Sequence, residues 1–355
     1  MEEVGSALPH REAPLATIRD VAQAAGVSIA TVSRVLNGSP RVSDDARDRV
    51  WSAVAELDYW PNTAAQSLTT RRSNAIGVLL PDLYGEFFSE VIRGIDHAAR
   101  QVKQQVLISS SHADTNTVLS AARAMRGRID GLIMMAPDQG SIEPIHQIAR
   151  RFPVLLLNPR SAVAGCSTVS ISNFEGARTV VGHLLSLGHT RIAIVNGPKG
   201  NVDAEERRRG YRDAFARADL PASATLELCG DFSESSGFDS AQDLLRLWPR
   251  PTAVFATNDA MALGLLSALQ TEHVRVPEDL AIVGFDDIAI ARYASPPLTT
   301  IHVDAFELGE RSVQLLLQAM SSETGRACHD EVLPAPLVIR RSCGATPAAM
   351  QAQTS

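Results

Sequence analysis

Residues 17–38 read TIRDVAQAAGVSIATVSRVLNG and are the most informative stretch of this chain. Their pattern predicts two short helices around a tight turn. Thr17 is a good N-cap, and Asp20, three residues later, completes a short version of the capping box. Gly26 ends the first helix and allows a left-handed turn, and Ser28 caps the second helix. This arrangement is typical of a helix-turn-helix that reads DNA.

The second helix of the pair has an inner and an outer face. Its apolar residues Val32, Val35 and Leu36 are predicted to point inward. Contacts with base edges and phosphates are predicted for Thr17, Ser28, Ile29, Ala30, Thr31, Ser33, Arg34 and Asn37. Ile29 and Ala30 are apolar, which suits contacts with thymine methyl groups. This stretch alone leaves open a small helical bundle with no role on DNA.

A second motif follows a third predicted helix, which opens at residues 42–45. Residues 59–68 read YWPNTAAQSL. Pro61 and Asn62 mark a helix start, and a very short apolar edge follows it. The structural alternative is an ordinary capped turn of helix in a linker.

The two motifs, in this order and spacing, resemble the LacI/GalR family of transcriptional regulators. The matching positions are 20–22, 25–28, 30–37, Tyr59, 61–62, Ala65 and Leu68. In that family the short segment is a hinge helix that pairs with a second copy in the minor groove. A leucine wedges there between base pairs and kinks the DNA. The resemblance therefore implies DNA contacts for Asn62, Ala65 and Leu68.

Length, charge and cysteine spacing narrow the class of protein. The chain has 355 residues and a formal net charge of −7, which allows a small head and a larger body of one or two lobes. The four cysteines are scattered, which favours reduced thiols in a cytoplasmic protein. We predict neither a metal nor a cofactor. No apolar run approaches the roughly 20 residues that cross a membrane, and the acidic N-terminus lacks a signal-peptide pattern.

The head is barely basic. Residues 15–72 contain seven arginines, no lysine and six acidic residues, a net charge of +1. A nonspecific nucleic-acid binder is usually far more basic. DNA affinity is therefore expected to depend on a few placed contacts, on helix N-termini and on dimerisation.

After Ser73, short apolar runs alternate with amphipathic segments. Strands are predicted at 75–80, 105–109, 131–136, 153–157, 191–196, 252–257 and 280–285. Helices are predicted near 86–103, 115–127, 141–151, 173–187, 204–218, 234–248, 259–271 and 305–321. Such alternation indicates parallel sheets covered by helices on both faces. The units are too many for one comfortable sheet, so we predict two doubly wound α/β lobes.

The resemblance covers residues 17–342 and implies a type I periplasmic-binding-protein-like body with two lobes and three crossing strands, behind an all-α helix-turn-helix headpiece. The predicted organisation is a disordered tail at 1–14, the DNA-binding domain at 15–60, the hinge helix and linker at 61–73, the ligand-binding and dimerisation domain at 74–343, and a disordered tail at 344–355. Crossings between the lobes are expected near 158–172, 296–304 and 322–334.

Loops after the predicted strands carry the residues to which the resemblance assigns ligand binding. They are Asp82, Phe87, Phe88, Asn158, Arg207, Phe232, Asn258 and Asp286. In open α/β sheets, ligands bind at the carboxyl ends of the strands. Carboxylates and amides bind hydroxyl groups, and an arginine fork suits paired hydroxyls or a carboxylate.

Several of these residues have a structural alternative. One of Phe87 and Phe88 is expected to be core. Arg207 has the alternative of a solvated helix face, paired with Asp203. For Asn258 the alternative is a helix cap, and for the neighbouring Asp287 a cap or loop acid is the favoured interpretation.

The chain shows no nucleophile elbow, phosphate loop or zinc-protease motif, so we predict no enzyme activity. We predict a homodimeric, possibly tetrameric, regulator that binds palindromic operator DNA, most simply as a repressor. Its effector is expected to be a sugar or sugar derivative, alternatively a nucleoside or purine. By resemblance, helices near 86–100 and 259–271 are candidates for the dimer interface. A sugar-binding transport component and an enzyme fused to a DNA-binding head are the other classes; residues 17–72 and the missing export signal argue against the first, and turnover would identify the second.

Overall fold

The computed structural model describes residues 16–36, 38–60, 72–111, 115–135, 143–221, 225–321 and 328–345. The chain falls into two units, Met1–Ser73 and Asn74–Ser355. Each unit has a hydrophobic core of its own, so each is stabilised by its own apolar contacts.

The first unit is a head of three helices: α1 (Ile18–Ala25), α2 (Ile29–Leu36) and α3 (Asp44–Glu56). Val21, Val32 and Val50, one from each helix, are fully buried or nearly so and meet in its core. Spacings of three and four residues place the remaining apolar side chains on the same inner faces. Gly26 lies between α1 and α2 with a φ of +62°, a left-handed conformation that glycine adopts without a steric penalty.

The N-lobe of the second unit is built on a six-stranded, wholly parallel sheet. Its strands are β1 (Ala75–Leu80), β2 (Gln105–Ser110), β3 (Gly131–Met135), β4 (Val154–Leu157), β5 (Ser167–Ile171) and β11 (Asp330–Leu333), in the order β11-β5-β4-β3-β1-β2. The strands β1, β3 and β4 are buried along their whole length, as expected for a parallel sheet covered on both faces.

Four helices belong to this lobe: α4 (Glu86–Gln101), α5 (Thr115–Met125), α6 (Glu143–Ala149) and α11 (Ala305–Ser321). Two glycines let α4 and α11 approach each other closely. A Cβ atom on Gly94 would lie 2.0 Å from the carbonyl oxygen of Phe306, and one on Gly309 would lie 2.2 Å from that of Val91. The missing side chains therefore set the distance between these two helices.

The C-lobe contains a four-stranded parallel sheet in the order β7-β6-β8-β9. Its strands are β6 (Ile192–Asn196), β7 (Leu226–Cys229), β8 (Ala253–Ala256) and β9 (Ala281–Val283). A short antiparallel pair, β10 (Thr300–Ile301) and β12 (Leu337–Val338), adjoins β9 through isolated bridges. The helices of this lobe are α7 (Asn173–Ser186), α8 (Val202–Arg217), α9 (Glu234–Arg246) and α10 (Asp259–Thr271), with a 3₁₀ helix at Ala289–Tyr293.

The chain passes between the lobes three times: between β5 and α7, between β10 and α11, and between β11 and β12. The predicted crossing range 158–172 contains the whole of β5, and the passage itself follows Ile171. Among the described residues, no helix combines the length and apolarity that would span a bilayer.

Candidate functional sites: the helix-turn-helix surface and the cleft between the lobes

The first helix of the head begins with the predicted capping box. The backbone N–H of Thr17 donates to Asp20 Oδ2 at 2.8 Å, and the backbone N–H of Asp20 donates to Thr17 Oγ1 at 3.4 Å. Hydrogen bonds from Thr17 hold the pKa of Asp20 below its usual value. At the start of α2, the backbone N–H of Thr31 donates to Ser28 Oγ at 3.1 Å. Both helix starts are therefore fixed by local hydrogen bonds.

Five of the predicted DNA contacts are exposed to solvent, two at the helix N-caps and three on α2. Thr17, Ser28, Ile29, Ala30 and Arg34 are exposed, whereas Thr31 and Ser33 are half-buried. Ile29 is apolar yet 45% exposed, and the core of the head does not use it. Asn37, Asn62, Ala65 and Leu68 lie outside the described residues, so their DNA contacts remain predictions.

In the second unit, the carboxyl ends of the strands gather polar side chains where the lobes meet. Asn158 follows β4 in the N-lobe with a φ of +43°, a conformation that asparagine tolerates better than most residues. Its Oδ1 accepts a hydrogen bond from the backbone of Ile171 at 2.8 Å. Its Nδ2 donates to Oδ2 of Asp203, on α8 of the C-lobe, at 3.2 Å. Asn158 therefore links the two lobes.

Arg207 occupies the centre of this polar region and is only 4% exposed. Its Nε donates to Asn173 Oδ1 at 2.8 Å, its Nη1 to the carbonyl of Thr257 at 2.5 Å, and its Nη2 to Asp286 Oδ1 at 3.1 Å. The guanidinium carbon lies 3.7 Å from the ring centroid of Phe285, a stacked cation–π arrangement. The solvated helix face considered for Arg207 is therefore wrong.

Asp286 lies shortly after β9. Its carboxylate pairs with Arg207 at a position that is largely shielded from solvent. Its side chain is 10% exposed, and its φ of +107° is fixed by backbone hydrogen bonds with Ile301 and Val303. Burial raises the pKa of Asp286 to about 6, although the charge of Arg207 acts in the opposite direction. Removing one partner of such a buried pair leaves an uncompensated charge, which costs about 3–5 kcal/mol.

The hydrogen bonds continue from Arg207 back to the N-lobe. Asn173 donates from Nδ2 to Asp203 Oδ1 at 2.9 Å. Together Asn158, Asp203, Asn173, Arg207 and Asp286 form one connected set, here called the cleft network. It contains two carboxylates and one guanidinium, so it is rich in acceptors for hydroxyl or N–H donors.

Phe232 lies beside the cleft network, 5.9 Å from the guanidinium carbon of Arg207. Its ring packs on Gly197, where a Cβ atom would lie 2.3 Å from the ring. Asn258 fixes the position of the backbone at Phe232, because its Nδ2 donates to the carbonyl of Phe232 at 2.9 Å. The Oδ1 of Asn258 caps α10 through the backbone N–H of Met261. Asn258 is thus a helix cap that also positions Phe232.

The predicted N-lobe residues lie at the start of α4. Asp82 is exposed and accepts hydrogen bonds from the backbone of Leu83 and Tyr84. Phe87 and Phe88 are half-buried, edge to face with ring centroids 5.3 Å apart, and both pack against the main core. Both rings are therefore partly in the core, whereas the sequence predicted a core position for only one of them.

Asp287, next to Asp286, has different partners. Its carboxylate is 8% exposed and accepts hydrogen bonds from Arg340 at 2.6 Å and His302 at 3.0 Å. Burial acts to raise the pKa of Asp287, but the hydrogen bonds from His302 and Arg340 outweigh it and hold the pKa below its usual value. Asp287 is a loop acid with a structural role.

A cavity of about 390 Å³ opens between the lobes next to the cleft network. It lies within the usual range for small-molecule sites of about 300–1,000 Å³. Asn158, Asn173 and Asp203 line it, together with charged residues Arg160, Glu205, Glu206 and Arg209. A smaller cavity, about 240 Å³, lies at the amino ends of the C-lobe strands, beside Pro251 and Leu280 and away from the cleft network.

Sequence reasoning missed three residues that the structure brings to Arg207: Asn173, Phe285 and Asp203, the last through Asn173. Asn173 follows a polar strand that the apolar pattern does not predict, and that pattern marks Phe285 only as part of a strand. Asp203 precedes Arg207 by four residues, a spacing that predicts the same helix face but does not indicate the partners of Asp203 across the cleft. Among the described residues, no group of three histidines, cysteines or carboxylates is placed to hold a metal ion.

Comparisons with known proteins extend over both units. Residues 17–62 match the description "Bacterial regulatory proteins, lacI family", and residues 181–343 match "Periplasmic binding protein-like domain". The chain is 34% identical over 314 residues to the ribose operon repressor of Escherichia coli strain K12, with 87% of this chain and 94% of that protein covered.

Two further relatives resemble the chain over nearly their whole length. It is 32% identical over 312 residues to the HTH-type transcriptional repressor PurR of Aliivibrio salmonicida, with 87% of this chain and 93% of that protein covered. The structure of the Lac repressor dimer bound to operator and the anti-inducer ONPF superimposes with a TM-score of 0.83 at 33% identity, covering 93% of this chain and 99% of that chain.

Proposed function

The chain belongs to the LacI family of bacterial regulatory proteins, and from that membership we propose that it is a homodimeric repressor whose affinity for a palindromic operator is set by a small polar effector. As a member of that family it is a DNA-binding regulator and not an enzyme. We propose a cytoplasmic location, because a DNA-binding repressor has to reach the DNA that it regulates.

The head supports the DNA-binding part of this proposal. Ile29 is exposed at the start of α2, and the Ser28 cap fixes the preceding turn. Together they form a small surface that can contact base edges. One recognition helix contacts few base pairs, so a two-fold dimer on a palindrome is the geometry that gives specificity. Because residues 15–72 carry a net charge of only +1, affinity depends on placing both heads and both hinges together.

The observation that carries the effector part is the cleft network, which joins the lobes through Asn158 and Asp203. Two carboxylates and two amides around a buried arginine suit a ligand with several hydroxyl groups, and the half-buried ring of Phe232 offers a flat apolar face. We therefore propose a sugar or sugar derivative as the effector. The names of the relatives include both a ribose and a purine repressor, so a purine is the alternative that the experiment must address.

Control of DNA binding follows from linkage. An effector with different affinities for two lobe arrangements shifts the population between them. We propose that this shift alters the separation of the two hinge segments and hence operator affinity. The coupling must be reciprocal, so the operator alters effector affinity by the same factor.

An exposed apolar patch supports dimerisation of the body. Tyr84 and Tyr293 are 72% and 75% exposed, and Leu83 and Ile290 accompany them. The two segments adjoin, because the backbone N–H of Ala289 donates to Glu86 Oε1 at 2.6 Å. Contiguous exposed apolar side chains of this kind commonly mark a protein interface. We propose that this patch, with α4 and α10, forms the dimer interface.

The test is an operator-binding titration of full-length protein with and without D-ribose, on an operator selected from a random palindromic library. For the wild type, D-ribose should change operator affinity by about 5–150-fold, the usual range of allosteric coupling. The Asp286→Ala variant should still bind the operator and lose the response, because Asp286 is an acceptor of the cleft network.

The matched control is Asp243→Ala, which removes an exposed carboxylate of the same lobe that pairs with Arg246. It should respond to D-ribose like the wild type. A normal dose-response in Asp286→Ala would remove Asp286 from the site. A response to hypoxanthine but not to D-ribose would show that the sugar assignment is wrong.

A further inference from the structure

Asp259, the first residue of α10, is a buried acid outside the cleft network. Its side chain is fully shielded from solvent. The backbone N–H of Ile288 donates to its Oδ2 at 3.0 Å, and Thr300 Oγ1 donates to its Oδ1 at 2.6 Å. Neither of these partners carries a charge. Burial of an acid without a charged partner is unfavourable, so the position of this carboxyl group indicates a role beyond core packing.

The hydrogen bonds of Asp259 fix the segment that carries Asp286. The backbone N–H of Asp259 donates to the carbonyl of Phe285 at 2.8 Å, one residue before Asp286. Its Oδ2 accepts from Ile288, two residues after Asp286. Gly284 leaves room for the carboxyl group, because a Cβ atom on Gly284 would lie 2.0 Å from Asp259 Oδ1. Asp259 therefore holds the segment on both sides of Asp286.

The bond from Thr300 to Asp259 links the same segment to a passage between the lobes. Thr300 is fully buried in β10, which leads into α11 of the N-lobe. Backbone pairing continues along this passage: the N–H of Asp286 donates to the carbonyl of Ile301 at 2.8 Å, and the N–H of Val303 donates to the carbonyl of Asp286 at 3.2 Å. Displacement of Asp286 therefore also displaces the chain that enters the N-lobe.

Asp259 is an uncharged carboxylic acid near neutral pH. The start of α10 favours a negative charge, but complete burial disfavours it more strongly. Burial raises the pKa of Asp259 well above its usual value, and the charges of Asp286 and Asp287 act in the same direction. The hydrogen bonds from Thr300 and Ile288 oppose this shift without cancelling it. The protonated carboxyl group can itself donate to Thr300 Oγ1, because a hydroxyl group both donates and accepts.

We propose that Asp259 is a positioning residue for effector control. It fixes the segment around Asp286 to β10 and thereby conveys the occupancy of the cleft to α11 and the N-lobe. The proposal rests on the proposed function, in which Asp286 binds the effector. Because α11 packs against α4 at Gly94 and Gly309, a shift of α11 also acts on the helix that we assign to the dimer interface.

The first arm of the test uses the full chain and measures D-ribose affinity by calorimetry and operator affinity with and without D-ribose. Thr300→Val removes the bond to β10 but leaves both bonds that hold the segment around Asp286. D-ribose affinity should therefore stay within about threefold of the wild type, while the effect of D-ribose on operator affinity should fall by at least about twofold, as for changes along a coupling path. Asp259→Ala should lower both the D-ribose affinity and the effect on the operator.

Two further variants separate this link from a general loss of stability. Asparagine has a carbonyl oxygen for the Ile288 N–H and an N–H for the Thr300 hydroxyl group, so Asp259→Asn should respond to D-ribose like the wild type. Thr168→Val removes a threonine–aspartate bond of 2.7 Å to Asp330 within the N-lobe sheet, and its response should also be unchanged. A wild-type response in Thr300→Val and Asp259→Ala would overturn the inference, as would a response lost in Asp259→Asn. If Asp259→Ala does not fold, Thr300→Val decides between these outcomes.

The second arm needs no effector. Hydrogen–deuterium exchange of the full chain reports the opening of backbone hydrogen bonds. Thr300→Val should speed exchange at the N–H of Ile288 by at least about twofold, although the acceptor of that N–H is retained, because the carboxyl group of Asp259 loses its anchor on β10. Wild-type exchange at Ile288 in this variant would contradict the inference. If exchange changes as expected and D-ribose has no effect even on the wild type, the link is supported while the sugar effector of the proposed function is refuted.

Discussion

At the scale of single residues, the chemistry of the cleft depends on how burial and charged partners shift the pKa of each carboxyl group. Asp286 and Asp287 are adjacent in the chain, yet burial raises the pKa of the first to about 6 while hydrogen bonds from His302 and Arg340 lower that of the second. Asp286 keeps one guanidinium partner, whereas Asp287 has a guanidinium and an imidazole. The first carboxylate is therefore the one whose protonation responds to conditions near neutrality.

Effector binding should consequently depend on pH through Asp286. The ionised carboxylate accepts hydrogen bonds from ligand hydroxyls, and protonation removes part of that capacity. The affinity for D-ribose is expected to be constant above the pKa of about 6 and to fall below it. Calorimetric titrations from about pH 5 to about pH 8 measure this, and the Asp286→Asn variant should show weak binding at every pH.

The same shift has a consequence for stability with a defined sign. Because the pKa of Asp286 is higher in the folded protein than the usual aspartate value of 3.8, the folded state holds this proton more tightly than the unfolded chain does. Its contribution to the free energy of unfolding is fully present below pH 3.8 and is lost as pH rises through about 6. For effector binding, a D-ribose affinity that stays the same from about pH 5 to about pH 8 would contradict the role of Asp286 as an acceptor for the ligand.

At the scale of elements, helix packing in the body depends on small residues at the crossing points. The helices α4 and α11 meet at Gly94 and Gly309, where backbone of one helix fills the space that a side chain of the other would need. Carbonyl oxygens at such a contact do not move as easily as the end of a flexible side chain. The spacing between these helices is thus set by two glycines, not by large apolar residues.

Gly94→Ala should therefore destabilise the body even though alanine favours helix by about 1 kcal/mol over glycine. Its Cβ atom would lie 2.0 Å from the Phe306 carbonyl oxygen, and overpacking of this kind costs about 1–3 kcal/mol. Urea unfolding measures the change in free energy. The matched control is Gly182→Ala in α7, where a Cβ atom meets nothing within 4 Å and stability should rise by up to about 1 kcal/mol. Equal effects of the two substitutions would refute the close-contact explanation.

At the scale of the whole molecule, the head and the body have separate tasks that dimerisation must combine. The exposed patch of Leu83, Tyr84, Ile290 and Tyr293 is the apolar surface on which the proposed dimer depends. Glu86 and Ala289 hold its two halves together across the lobes, so a change in lobe arrangement would alter the patch as well as the cleft. Effector binding and dimer geometry are therefore expected to be coupled.

Tyr293→Ser should weaken the dimer and, with it, operator binding, while the isolated body still binds D-ribose. Sedimentation over a range of protein concentrations measures the dimer dissociation constant, which should rise by about tenfold or more when a large interface aromatic is lost. The control Trp248→Ser removes an aromatic side chain that is even more exposed, at 88%, and lies outside the patch. Equal effects of the two variants, or no effect of Tyr293→Ser, would place the interface elsewhere.

Much of the architecture follows from local signals and is confirmed. The capping box at Thr17, the left-handed Gly26 and the predicted helices 259–271 and 305–321 all have the form expected from the sequence. The α/β fold class with its helix-turn-helix head is likewise confirmed by the comparisons. The strands β5 and β7 were not predicted, because their sequences STVSI and LELC carry polar or charged residues and lack a long apolar run. Their strand conformation depends on pairing with neighbours far along the chain.

By itself, then, the sequence determined the helices of the head, most helices and strands of the body and the residue types at the strand ends, because capping, periodicity and turn chemistry act within a few residues. The tertiary structure alone decided that Arg207 is buried and paired with Asp286, that Asn173 and Asp203 join it, and that Asp287 belongs to His302 and Arg340. These partners are separated by 30 to 79 positions along the chain in the cleft network. Which charged groups pair, and how far they are shielded from solvent, depends on how the two lobes pack against each other. No local sequence pattern contains that information.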